Sequence, residues 1–199
     1  MMDDWQRAAE AFSAAARRLW ARGLVAGSGG NLSLRLAGGK QFMIKPSGEA
    51  SVDCTAGTLL GVDLAGRVVR GEGRPSKDLS LHLGIYRARP EVHGLVHAHA
   101  PWCTALGLLD YGEMPLPTPH ARDYLGRVPV VAYRPPGSPE LVAAVTEAFA
   151  AGARAALLAE HGLVTAGPSL TKAVQLAELV EETAQVVMLA RMAGAGQVC

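Results

Sequence analysis

No excess of charge of either sign marks this sequence: 19 lysines and arginines stand against 18 aspartates and glutamates, a formal net charge of +1. A protein that grips nucleic acid through its phosphates needs a basic surplus, so nucleic acid is not an expected partner. Uncharged apolar runs of membrane-spanning length are missing as well. The first residues, Met1-Met2-Asp3-Asp4-Trp5-Gln6-Arg7, are acidic and then amphipathic, without the apolar stretch of a leader. The expectation is a soluble, cytoplasmic protein with no membrane partner. Cysteine is scarce too. Cys54, Cys103 and Cys199 are odd in number and widely spaced, with no Cys-x-x-Cys pair, which fits reduced thiols better than a disulfide framework. At 199 residues the chain suffices for one sizeable core and falls short of two, so one domain over residues 1–199 is expected.

Hydrophobic spacing divides the chain into alternating elements. Trp5, Ala8, Ala9, Phe12, Ala16, Leu19 and Trp20 form a helical stripe over residues 3 to 22, with Asp3 and Asp4 at the favourable end and Gly23 as the stop. Segments 31–36 and 41–44, joined through Gly38-Gly39, read as a β-hairpin, and a further strand pair is expected at 59–63 and 67–70. Ser76 reads as the N-cap of a helix that starts at Lys77 and ends before Pro90, and a strand follows at 93–99. Pro101 opens a helix to about residue 109. A proline-rich loop leads to a strand at 128–133, and Ser138-Pro139-Glu140 starts a helix to about 151. A buried strand at 154–159 and a final helix of about 25 residues capped by Ser169 complete the chain. Early hairpins among interspersed helices point to an α/β sandwich whose sheet is largely antiparallel.

Three histidines stand at the ends of apolar runs: His97 and His99 in Val96-His97-Ala98-His99, and His161 in Glu160-His161-Gly162. Residues i and i+2 of a strand project to the same side, so His97 and His99 can face one ion, and His161 from another strand end would complete a cap. Three neutral nitrogens and one exchangeable position is the donor set of catalytic zinc; structural zinc usually closes its site with cysteine, and no cysteine lies near these residues. A His-x-His pair can equally be two rings hydrogen-bonded to backbone in a half-buried strand.

Asp78 lies at the start of the helix that leads into the His-x-His strand. A carboxylate there can ligate the metal or act as general base toward a carbon beside a polarised carbonyl, or it can simply favour the helix dipole. His82 stands one turn further on the same face and can orient it or be an ordinary core histidine. Glu160 competes as the carboxylate, but on a strand it would face away from His161. The run Ala26-Gly27-Ser28-Gly29-Gly30-Asn31, the pair Ser47-Gly48, and Ser76 at a helix start offer backbone N–H groups that could converge on an anion, with Lys45 and Lys77 to neutralise it. The combination suggests a phosphorylated substrate. The glycine-rich run lacks Gly-x-Gly-x-x-Gly and follows no strand, which ranks a dinucleotide-binding oxidoreductase low.

The ordered set Gly30-Asn31-x-Ser33, Pro46-Ser47-Gly48, Pro75-Ser76-Lys77-Asp78 with His82, His97-Ala98-His99 and His161-Gly162 resembles the class II aldolase/adducin family over essentially the whole chain. The resemblance implies a three-layer αβα sandwich with a mixed, largely antiparallel central sheet. It implies Zn2+, or another divalent ion such as Mn2+, held by His97, His99, His161 and Asp78, with Asp78 also the catalytic base. It implies substrate-phosphate binding by Gly30, Asn31, Ser47, Gly48, Ser76 and Lys77. The activity implied is cleavage of a carbon–carbon bond in a phosphorylated ketose, as in fuculose-phosphate aldolases, by a homotetramer with active sites at subunit contacts. Decarboxylation of a 3-oxo-tetronate 4-phosphate and 4-epimerisation of a ribulose phosphate are the alternatives within the family, and a non-catalytic module like the adducin head is the alternative of another class. Three departures bear on the choice. Aldolases of the family usually carry glutamate where Asp78 stands, as the 4-epimerases do not. Lys77 replaces a serine, and residues 126–135 are more similar to the decarboxylases. The tyrosine that family aldolases receive from a neighbouring subunit has no clear match, His120 and Tyr124 being the candidates.

Overall fold

Strand alternation and two glycine-tight crossings organise the protein around one sheet. The computed structural model describes residues 3–109 and 111–194, so Cys199 lies outside the described residues. The elements in chain order are α1 (Asp4–Ala21), β1 (Asn31–Arg35), β2 (Gln41–Ile44), β3 (Leu60–Asp63), β4 (Val68–Arg70), α2 (Leu79–Ala88), β5 (Gly94–Ala98), α3 (Pro101–Gly107), α4 (Pro119–Leu125), β6 (Val130–Val131), α5 (Pro139–Ala150), β7 (Ala155–Leu158), β8 (Gly162–Gly167) and α6 (Leu170–Met192). The eight strands lie in the order β4-β3-β2-β1-β5-β8-β7-β6. Every neighbouring pair is antiparallel except β6 and β7, which are parallel.

Alternate residues of each strand feed two separate cores. Leu32, Val96, Ala98, Leu157 and Leu163 join residues of α1, α3, α4 and α6, such as Phe12, Cys103, Leu125 and Val180, on one face. Phe42, Val62, Leu95, Leu158 and Val164 join α2 and α5 through Ile85, Tyr86, Val145 and Phe149 on the other. The result is the expected three-layer αβα sandwich with a mixed, largely antiparallel central sheet. Cys54 and Cys103 are free, buried thiols. Among the described residues no helix is long and apolar enough to cross a membrane.

Several expectations shift at their edges. The strand expected at 128–133 pairs only at Val130–Val131, and α2 begins at Leu79 rather than Lys77, with Asp78 and not Ser76 at its N-cap. Two elements escape the sequence reading altogether. α4 uses the same code as α5, a capping hydroxyl (Thr118 accepting from Ala121 N–H) followed by proline at the first helical position, but it is embedded among prolines that read as loop. β8, Gly-Leu-Val-Thr-Ala-Gly, is a short apolar run bounded by glycines, and it turns the expected strand end at His161 into the turn of a β7–β8 hairpin.

Pinning α6 against the sheet depends on Gly94. A Cβ there would stand 2.3 Å from the Leu170 Cα and 2.4 Å from its backbone nitrogen, an overlap that no rotamer change relieves. Gly94→Ala is therefore expected to lose roughly 3 kcal/mol or more in urea unfolding, while Gly112→Ala, at a position with nothing within 4 Å, stays within about 0.5 kcal/mol. Equal stability of the two variants would contradict this packing.

Candidate active site

The register of three strands gathers the polar residues. β5 pairs with β1 so that His97 lies opposite Asn31, and with β8 so that His97 lies opposite Val164. Directly opposed residues share a face, so His97 and Asn31 project together toward the α2 layer, followed by Ser33 across from Leu95. His99 continues the alternation just past the strand. His161 arrives from the β7–β8 turn, closed by its N–H donating to the Leu158 carbonyl at 3.0 Å. In that turn Glu160 has φ +60° and is exposed, so it leaves the strand geometry assumed for it from the sequence. Gly162 follows at φ +145°, where a Cβ would fall 2.2 Å from the Ala98 carbonyl oxygen, so only glycine lets β8 approach the His-x-His segment. Gly29 packs closely on the ring of His99, where a Cβ would stand 3.1 Å from its Nδ1 and force a small shift.

Ligand atoms of His97, His99 and His161 all lie within 4.8 Å of one another. The ring centroids are 4.7 to 5.0 Å apart, and Nε2 of His97 and of His99 are separated by 3.1 Å. Two donors on one tetrahedral zinc, each about 2.0–2.1 Å from it, stand about 3.3 Å apart, so the 3.1 Å between these nitrogens is close to the spacing for a shared ion. His97 Nδ1 donates to the Leu163 carbonyl at 3.0 Å, which leaves Nε2 bare and facing the other rings. Among the described residues His161 Nδ1 is buried without a hydrogen-bond partner, an orphan that a cation or bound ligand would satisfy. The donor set therefore fits a divalent metal. Burial pushes His97 down to about 3, with Asp78 opposing and the neighbouring imidazoles adding to the fall. His99 and His161 are lowered too, chiefly by burial. All three are neutral at pH 7, as ligation requires.

Asp78 places Oδ2 4.0 Å from His97 Nε2. As N-cap of α2 its side chain makes no capping bond; it turns instead to accept from Asn31 Nδ2 at 2.7 Å. The helix-dipole reading of this aspartate therefore does not account for where its carboxylate goes. Burial pushes its carboxyl up, but the surrounding imidazoles and the Asn31 amide outweigh that and hold it below the usual carboxylate range. The ring of His82, fully buried and pushed to about 4 by that burial, is linked to the Asp78 carboxylate through Asn31, whose Oδ1 faces His82 Nε2.

Ser28, Gly29, Gly30, Asn31, Lys45, Ser47, Gly48, Ser76, Lys77, Asp78 and His99 line one cavity of about 340 Å³. All six residues expected at the phosphate thus border the same space as the carboxylate and an imidazole. Their detailed parts differ from the expectation. The N–H of Ser47 donates to the Arg74 carbonyl and that of Ser76 to the Lys45 carbonyl, so these two serines offer hydroxyls rather than backbone donors. The Asn31 carboxamide is committed to Asp78 and His82. Lys45 is buried and uses two of its three donors on the carbonyls of Ser28 (3.1 Å) and Glu49 (2.7 Å), tying two loops together. Lys77 stays exposed at the rim. His120 and Tyr124 stack at 4.6 Å on α4 and line no part of this cavity. Ser33, named from the sequence only as part of the Gly30-Asn31-x-Ser33 motif, and Tyr86, given no role there, adjoin the site through His82; the signals for that placement were the alternation Asn31-x-Ser33 and the one-turn spacing from His82 to Tyr86.

Residues 10–188 match the family profile of the Class II Aldolase and Adducin N-terminal domain, and the chain belongs to this family. Among curated proteins it is 36% identical over 168 residues to the L-fuculose phosphate aldolase of Methanococcus vannielii, covering 84% of this chain and 88% of that one. It is 38% identical over 172 residues to the 3-oxo-tetronate 4-phosphate decarboxylase of Pectobacterium atrosepticum, covering 84% and 78%. Among solved structures, the L-fuculose-1-phosphate aldolase of Thermus thermophilus superposes with a TM-score of 0.83 at 32% identity, over 97% of this chain and 99% of that one. These relatives are lyases, which supports an enzyme.

Acid should destabilise the metal-free protein through its buried imidazoles. A histidine held below its unfolded value of about 6.5 binds fewer protons folded than unfolded, so stability is intact above pH 6.5 and falls as pH drops toward the folded values. For His82 and His97 that window runs from 6.5 down to about 4 and about 3. Urea unfolding in the presence of a chelator is expected to lose roughly 2 kcal/mol per such histidine between pH 6.5 and 5. A flat profile over that range would contradict the burial of neutral rings.

Proposed function

We propose that the protein is a divalent-metal-dependent lyase that cleaves a carbon–carbon bond in a short phosphorylated ketose, with L-fuculose 1-phosphate or a close analogue as substrate and dihydroxyacetone phosphate plus an aldehyde as products. The observation that carries this reading is the meeting of three neutral imidazoles beside an ionised carboxylate, with that carboxylate and the His99 ring bordering the cavity. His97, His99 and His161 would hold the ion, Zn2+ first and Mn2+ as the alternative, with Asp78 as a further ligand in the absence of substrate. Bound there, the cation would supply a Lewis acid for the negative charge that develops on the sugar oxygens during cleavage.

The protein's own groups do the rest. The Asp78 carboxylate is the proton carrier: in cleavage it takes up the proton released from the hydroxyl on the carbon that becomes the aldehyde and delivers it to the carbon beside the carbonyl, and in condensation the two transfers reverse. The hydroxyls of Ser47 and Ser76, the loop at Gly30 and Gly48 and the Lys77 ammonium bind the phosphate, and the Asn31 side chain holds Asp78 instead of the substrate. Catalytic sites lie at contacts between subunits of a homotetramer in the cytoplasm. A second reading, decarboxylation of a 3-oxo-tetronate 4-phosphate, is supported by the 38% identity to the decarboxylase and by residues 126–135. It uses the same metal and carboxylate with a different leaving group.

Metal analysis and turnover separate these roles. His97→Ala is expected to lose the bound metal, whereas Asp78→Asn keeps most of it and loses at least about 100-fold in kcat; equal metal loss in both would make Asp78 chiefly a ligand. Assay of the metal-loaded protein on L-fuculose 1-phosphate, ribulose 5-phosphate and a 3-oxo-tetronate 4-phosphate is expected to give turnover on the first. Turnover on the third alone selects the decarboxylase, and absence of any bound divalent metal rejects both.

A further inference from the structure

A single file of buried polar groups runs from α2 to Asp78. Tyr86 Oη lies 2.9 Å from Ser33 Oγ, Ser33 Oγ lies 2.6 Å from His82 Nδ1, His82 Nε2 meets Asn31 Oδ1, and Asn31 Nδ2 lies 2.7 Å from Asp78 Oδ2. The far end is a buried cation: the Arg35 guanidinium stands 4.6 Å from the centre of the Tyr86 ring and is itself held by the carbonyls of Val92, Gly39 and Tyr86. Ser33 and His82 are completely buried, and Tyr86 is 1% exposed.

Hydrogen-bonding capacity allows only one direction along this file. An ionised Asp78 can only accept, so Asn31 turns its NH2 group to it and its carbonyl to His82. A carbonyl can only accept, so His82 carries its proton on Nε2. A neutral ring then leaves Nδ1 bare, to accept from the Ser33 hydroxyl. Ser33 has only one proton to give, so its oxygen accepts from Tyr86. Every donor points toward the carboxylate, and the cation behind Tyr86 reinforces that polarity. Reversing Asn31 would set its carbonyl against the carboxylate.

We propose that Tyr86, Ser33, His82 and Asn31 form a directional hydrogen-bond chain that fixes the Asp78 carboxylate by Oδ2 and leaves Oδ1 as the oxygen that handles the substrate's proton, with the Asn31 carbonyl setting the His82 tautomer and Ser33 supplying the hydrogen bond to the bare Nδ1. These are positioning residues; none of Ser33, His82 or Tyr86 lines the substrate cavity. The kinetic part rests on the reading of Asp78 as proton carrier, and the tautomer part does not.

Nitrogen-15 chemical shifts of the histidine rings in the metal-loaded protein test the direction of the chain, with His82 assigned by its response to Ser33→Ala. The expected result is a neutral ring protonated on Nε2 in the wild type, and in Ser33→Ala the same tautomer with the Nδ1 shift moved further downfield, as a bare nitrogen that has lost its hydrogen-bond donor. A wild-type ring protonated on Nδ1, or on both nitrogens near pH 7, overturns the proposal. In kinetics on whichever substrate the wild type cleaves, Ser33→Ala and His82→Gln are expected to lose roughly 10–100-fold in kcat with unchanged metal content. KM should stay within about threefold, because the substrate contacts are untouched. Should His82→Gln fail to fold, Ser33→Ala alone decides, and wild-type kcat in that variant overturns the proposal. Absence of cleavage by the wild type would sink the role of Asp78, while the ring shifts would still judge the chain.

Discussion

Everything at the candidate site depends on the antiparallel pairing of β5 with β1 on one side and β8 on the other, at the register that sets His97 between Asn31 and Val164. A slip of one residue would turn His97 into the α1–α6 core and expose the apolar partner face to the polar file. Two glycines hold that register: Gly162 lets the β8 strand come against the Ala98 carbonyl, and Gly94 lets the start of α6 close over the other end of β5. The same pairing brings in His161, because the turn that carries it is the one joining β7 to β8.

Burying so many polar groups in the middle of a sandwich costs free energy unless each is satisfied. The protein meets this by pairing them in sequence, from the guanidinium of Arg35 to the carboxylate of Asp78, so that a buried cation and a partly buried anion at the cavity wall bracket the neutral groups between. A related device holds the helix that follows the His-x-His segment. Glu181 of α6, itself buried, accepts the N–H groups of Trp102 and Cys103 at 3.0 and 2.9 Å and so caps the start of α3. The imidazoles are the exception. With His161 Nδ1 unpartnered among the described residues and the facing Nε2 atoms of His97 and His99 only 3.1 Å apart, the cluster is unfinished in the way a metal would finish it.

Much of this was legible in the sequence because it is written in local code. Hydrophobic stripes, the Ser138 and Ser169 caps, and the alternation of β1 and β5 each depend on near neighbours, and they place most elements within one or two residues. The polar residues that border the cavity were legible from motif order. What was not legible is what depends on partners far along the chain. Asp78 looks like a helix-start acid until Asn31, 47 residues earlier, is seen to hold it. Ser47 and Ser76 look like backbone-donor loops until their segments pair with each other and consume those N–H groups. β8 carries four residues, Leu163-Val164-Thr165-Ala166, between its two glycines, too few for periodicity to separate strand from loop without β5 beside it.

The central claim is that three imidazoles from two stretches of chain share one divalent cation with room left for oxygen ligands. X-ray absorption spectroscopy of the zinc-loaded protein tests it most directly. Three imidazole nitrogens at about 2.0–2.1 Å, with the remaining positions filled by oxygen, is the coordination expected. A sulfur ligand, or fewer than three imidazoles, would contradict it.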